Sequence, residues 1–137
     1  MFHALDEVKN WLGVLFVILL LTRGCSMSQV FLDDTQNNTQ QELARGQELV
    51  ITLTSNPTTG FRWEVSDADK AILRQVGDAE YKSSASGNPP LVGAGGTETF
   101  RFESIGTGTT TLKLVYRRSW EKDVPPIKTF TVQVAVR

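Results

Sequence analysis

Histidine and cysteine occur once each in this 137-residue chain, as His3 and Cys25, and both lie within the first 25 residues. The remaining chain has no imidazole and no thiol. That excludes Ser-His and Cys-His nucleophilic pairs, and any zinc site built on histidine or cysteine. Charge of either sign is not in excess. Of 14 basic and 15 acidic residues, two of each fall in residues 1–25, leaving 12 and 13. No basic patch calls for nucleic acid, and no polybasic segment calls for anionic lipid. No phosphate-cradling Gly-rich motif is present. Glu48, Glu64, Asp67, Asp69, Glu80, Glu98, Glu103, Glu121 and Asp123 are scattered over strands and loops. They read as solvated surface charge rather than a catalytic pair. Neither enzyme chemistry, nor a cofactor, nor a metal is expected; the chain reads as a binding module.

Long apolar runs are also missing, with one exception. Trp11 to Leu21 is almost unbroken, preceded by Lys9 and followed by Thr22-Arg23-Gly24-Cys25. It is short for a bilayer core of about 30 Å and suits the central region of a secretory signal. Asp6 and Glu7 depart from the usual positive start of such a signal. Cys25 after Gly24 resembles a bacterial lipobox, although Thr22 and Arg23 stand where an aliphatic and a small residue are usual. The expectation is an exported protein, periplasmic or secreted. Residues 1–25 are then a cleaved signal, a leader whose lipidated Cys25 anchors the protein to a membrane, or an uncleaved anchor. Residues 26–42, rich in Gln, Asn and Thr, read as a tether, and residues 43–137 as one domain. A domain of that size holds a core without disulfides.

Within the domain helical periodicity is scarce and strand alternation recurs. Leu49 to Leu53, Phe61 to Val65, Ile72 to Val76, Thr97 to Glu103, Thr109 to Tyr116 and Ile127 to Val136 each read as strands. Short antiparallel strands between Gly and Pro turns predict an all-β sandwich. Trp63 lies in an apolar phase and reads as core. Tyr81 to Gly96 reads as a long irregular connection.

Three connections stand out. Asn56-Pro57-Thr58-Thr59-Gly60-Phe61 joins two strands. Pro57 fixes its own φ and pushes Asn56 toward extended backbone, and Gly60 accepts positive φ. A short, stiff loop with two hydroxyls at its tip is expected. Gly93-Ala94-Gly95-Gly96 precedes a strand and allows close backbone approach. Arg118-Ser119-Trp120 leaves a strand with charged neighbours around Trp120, which suits an exposed interface anchor.

Together, in this order, these motifs resemble the chagasin family of cysteine-peptidase inhibitors over roughly Leu43 to Val136. The first two match as they stand. The third has Ser119 where the family usually carries proline, which removes a rigid φ. The resemblance implies an immunoglobulin-like β-sandwich with the three loops gathered at one end, acting as a monomer. It implies a tight-binding, reversible inhibitor of papain-family, cathepsin-type peptidases. Thr58 and Thr59 would cover the catalytic cysteine and histidine of the peptidase. Gly93 to Gly96 would run beside the non-primed subsites, and Trp120 with Arg118 would meet the primed side. The alternative is a non-inhibitory adhesion or carbohydrate-binding sandwich that uses Trp120 as a stacking platform.

Overall fold

Alternation in the chain is converted directly into two packed sheets. The computed structural model describes residues 27–84, 93 and 95–137. The leader, with its Cys25, and Ala94 lie outside the described residues. The described residues form nine strands: β1 (Gln29–Leu32), β2 (Thr39–Leu43), β3 (Glu48–Ser55), β4 (Phe61–Asp67), β5 (Leu73–Gln75), β6 (Glu80–Ser83), β7 (Gly96–Ser104), β8 (Gly108–Arg118) and β9 (Lys128–Val136). One sheet runs β1-β3-β7-β5, with β6 also paired to β7, and the other runs β2-β9-β8-β4.

Each sheet buries one phase of its strands, as period-2 geometry requires. Leu49, Ile51 and Leu53 from β3 meet Phe100 and Phe102 from β7. Trp63, Leu112, Leu114, Phe130, Val132 and Val134 face them from the second sheet. All of these are fully or almost fully buried, so the expected sandwich and the core position of Trp63 are what the chain adopts.

Three expectations are corrected. Residues 26–42 are not a tether throughout. β1 pairs in parallel with β3, and β2 in parallel with β9, so both strands belong to the sandwich. Only Leu32 and Leu43 of these two strands are buried. An edge strand held by its backbone ladder needs few apolar side chains, and this polar segment offers little alternation to read. For the same reason the sheets are not wholly antiparallel. Finally, the connection after Tyr81 begins as a strand, since β6 pairs with β7 from Glu80↔Thr99 to Ser83↔Gly96.

The topology places the loops. β3 belongs to one sheet and β4 to the other, so Asn56–Gly60 crosses the sandwich instead of closing a hairpin. β6–β7 and β8–β9 are antiparallel pairs within a sheet. Ser55 pairs with Gly96, and Phe61 with Arg118, which brings the three connections to the same end.

Candidate functional site

Asn56 leaves β3 with φ −135° and ψ 85°, the extended backbone that a following proline imposes. Pro57–Thr59 then forms one 3-10 turn, and Gly60 closes it at φ 83° and ψ −7°. Thr59 N donates to Asn56 O at 3.2 Å, and Gly60 N to Pro57 O at 3.0 Å. Both threonine side chains are exposed, and both hydroxyls are engaged inside the loop. Thr58 Oγ1 donates to Asn56 Oδ1 at 2.6 Å and Thr59 Oγ1 to Asn56 O at 2.7 Å. Side-chain bonds of this local kind stiffen a turn. Among the described residues no donor reaches either hydroxyl oxygen, so their lone pairs are open to a partner.

The other two loops are fastened to this one. Asn56 Nδ2 donates to Gly93 O at 3.3 Å. A Cβ at Gly95 would stand 3.3 Å from Ser55 O, and one at Gly96 only 2.1 Å from Lys82 O. Glycine is required at 96 because the β6 backbone fills the side-chain position. The close approach read from this motif is thus partly internal. Ser84 N donates to Gly95 O at 3.0 Å, and Gly96 pairs with both Ser55 and Ser83. Those backbone groups are already committed.

From the third loop, Arg118 Nε donates to Thr59 O at 3.1 Å, and its guanidinium lies 4.5 Å over the Phe61 ring. Nη1 of the same residue pairs with Glu121 Oε1 at 3.2 Å, and Glu121 N donates to Arg118 O at 3.1 Å. These bonds close the turn around Ser119 without a proline. Arg118 therefore braces the first loop. Trp120 is 68% exposed, yet its indole edge covers Gly60, where a Cβ would meet Cη2 at 2.5 Å. Val124 and Ile127 add exposed apolar surface to the same loop.

Beneath the loops lies a layer whose cross-links sequence patterning does not reveal. The Tyr116 hydroxyl accepts from Asn56 N at 2.9 Å, and its ring packs between Phe61 at 5.5 Å and Trp63 at 5.1 Å. Trp63 Nε1 donates to Thr54 O at 2.9 Å. Asp34 accepts from both Thr54 N, at 3.1 Å, and Thr54 Oγ1, at 2.8 Å, so the N-terminal segment also props the loop's first foot. Glu98 requires a correction, because it is 1% exposed and not a surface carboxylate. It accepts from Ser55 Oγ at 2.7 Å, Trp63 N at 2.9 Å and Arg62 Nε at 3.2 Å. The signal is present in the chain, since Glu98 shares the phase of Phe100 and Phe102 in β7.

Among the described residues, no group of three or more His, Cys, Asp or Glu side chains is arranged to hold a metal. What the site offers is an edge of three loops linked to one another by hydrogen bonds and packing. Residues 42–134 match the model of the chagasin family peptidase inhibitor I42. Amoebiasin-1 of Entamoeba histolytica is 34% identical over 106 residues, covering 77% of this chain and 98% of that protein. Chagasin of Trypanosoma cruzi is 33% identical over 96 residues, covering 70% and 87%. The crystal structure of a cysteine protease inhibitor from Entamoeba histolytica superposes with a TM-score of 0.72 at 24% identity, over 83% of this chain and 100% of that one. The chain belongs to the chagasin family of peptidase inhibitors, whose members are inhibitors and not enzymes.

Proposed function

We propose that this protein is a reversible, tight-binding inhibitor of papain-family, cathepsin-type cysteine peptidases, acting as a monomer that presses its three-loop edge into the active-site cleft. The observation that carries this reading is the mutual locking of the loops. Asn56 reaches Gly93, Arg118 reaches Thr59, and Trp120 covers Gly60. A wedge of that kind loses little conformational freedom on binding. Thr58 and Thr59 at its tip would face the peptidase's cysteine and histidine. Gly93 and Ala94 would lie along the non-primed side, with any further pairing made through their backbone. Trp120, with Val124 and Ile127 beside it, would rest on the primed side. Arg118 and Ser119 would hold that loop in place.

Inhibition without cleavage follows from stiffness. The Asn56, Pro57 and Thr59 carbonyls accept from Thr59 N, Gly60 N and Arg118 Nε, which holds this segment in a 3-10 turn and away from the extended, near-attack alignment of a cleavable substrate. An interface of this type buries on the order of 1,600 Å². An adhesion or carbohydrate module would use Trp120 alone and would need none of this coupling.

Titration of active-site-quantified papain with the folded protein tests the proposal. Stoichiometric loss of activity, regained on dilution, is expected; no inhibition at micromolar protein refutes it. Export through residues 1–25 belongs to the same proposal. Mass spectrometry of the mature N-terminus separates a lipidated Cys25 from a cleaved, soluble form.

A further inference from the structure

Among the described residues, Glu98 is the buried carboxylate at the root of the loops, and nothing in the contact surface explains it. An ionised group taken out of water is strongly disfavoured unless its lone pairs are satisfied. Here three donors converge on it: Ser55 Oγ and Trp63 N on Oε2, and Arg62 Nε on Oε1. The location of these donors is informative. Ser55 ends β3, and Arg62 and Trp63 lie at the start of β4, so they are the two feet of the Asn56–Gly60 loop. β3 and β4 belong to different sheets, and no backbone ladder fixes the distance between them. Among the described residues, side chains span the gap: Glu98 ties the two feet, the Trp63 indole donates to Thr54 O, and Tyr116, packed on Phe61 and Trp63, accepts from Asn56 N. Glu98 itself stands on β7 opposite Leu53, two residues after Gly96, where the glycine loop enters its strand. One carboxylate thus joins both feet of the first loop to the root of the second.

We propose that Glu98 is the positioning residue of the inhibitory edge. Its carboxylate sets the separation and direction of the two feet of the Asn56–Gly60 loop, and thereby the fit of that loop to a peptidase. The proposal rests on the inhibitor reading above. Charge-assisted bonds to a planar carboxylate are short and directional, which suits this task better than apolar packing. A well-packed apolar residue at such a site is often no less stabilising than a buried ion pair, so the carboxylate contributes position more than stability.

The test compares Glu98→Gln, which keeps the shape and one acceptor oxygen, with Val134→Ala, a core truncation on β9 far from the loops. Both are measured for thermal stability, for the inhibition constant and dissociation rate on papain, and for amide hydrogen exchange at Thr59 and Gly60. Glu98→Gln is expected to raise the inhibition constant about tenfold through faster dissociation, and to speed exchange at both amides. Val134→Ala is expected to lower stability and leave both readouts unchanged. Arg62→Ala removes only the half-exposed partner of Oε1, and should shift both readouts in the same direction by about threefold. Where Glu98→Gln does not fold, Arg62→Ala decides. Unchanged inhibition and exchange in the folded variants overturn the proposal, as does a loss of inhibition in Val134→Ala as large as that in Glu98→Gln. If the wild-type protein does not inhibit papain, the inhibitor reading fails. The exchange rates at Thr59 and Gly60 still decide whether Glu98 positions the loop.

Discussion

Substituting alanine at Gly60 separates backbone strain from loop coupling. Gly60 sits at φ +83°, and a Cβ there would stand 2.5 Å from Trp120 Cη2 and 3.2 Å from Cζ2. Holding a non-glycine residue in the left-handed region costs about 1–2 kcal/mol. Carbon atoms prefer about 3.5–4.0 Å, so the indole must retreat by about 1 Å. Trp120 is 68% exposed, and such a retreat adds little to the stability loss. Gly46 provides the control, because it has φ +92° and a Cβ there would meet nothing within 4 Å. It lies before β3, at the end of that strand opposite the inhibitory loop. Gly60→Ala and Gly46→Ala should therefore melt lower by similar amounts, roughly 4–8 °C per kcal/mol for a domain of this size. Their inhibition should differ. Displacing a tryptophan anchor worth about 2 kcal/mol weakens binding about thirtyfold, which is expected of Gly60→Ala. Gly46→Ala should stay within about twofold of wild type. Inhibition constants on papain, beside calorimetric melts, decide the matter. Equal inhibition by the two variants, or equal loss in both, would refute the coupling of Gly60 to Trp120.

Removing both tip hydroxyls in Thr58→Ala with Thr59→Ala should weaken inhibition by at least about tenfold while the fold is kept, as read by circular dichroism and titration. Trp120→Ala should act mainly on dissociation, by about 2 kcal/mol, measurable by stopped-flow displacement. Tyr116→Phe strands Asn56 N, and should cost about 1–2 kcal/mol in urea denaturation together with a few-fold loss of inhibition. Arg137→Ala breaks an exposed pair with Glu42, whose side chains are 78% and 66% exposed, and should change stability by no more than about 0.5 kcal/mol.

The strands that bury an apolar phase are legible because their side chains report their environment. Phe130, Val132, Val134 and Val136 could hardly face water together, and they do not. β1, β2 and β6 are hidden because backbone ladders hold them at sheet edges and most of their side chains face solvent. Glu98 misleads for a different reason. Its residue type suggests surface, while its phase with Phe100 and Phe102 points inward, and phase prevails because three donors converge there.

Conformation-bearing residues make the loops readable locally. Pro57 extends Asn56, and Gly60 takes the positive φ, as those two residue types dictate by sterics alone. Composition and alternation alone point to a β-sandwich, to residues 26–137 without imidazole or thiol, and to three loops of fixed local character. Tertiary structure alone decided that Arg118 turns back onto Thr59 and Phe61, that Trp120 lies over Gly60, and that Glu98 and Tyr116 hold the loop from beneath. Local sterics act between chain neighbours and can be read from the chain. These contacts join residues 35 to 60 positions apart, brought together by the pairing of β4 with β8 for Arg118 and Trp120, and by the packing of one sheet on the other for Glu98 and Tyr116.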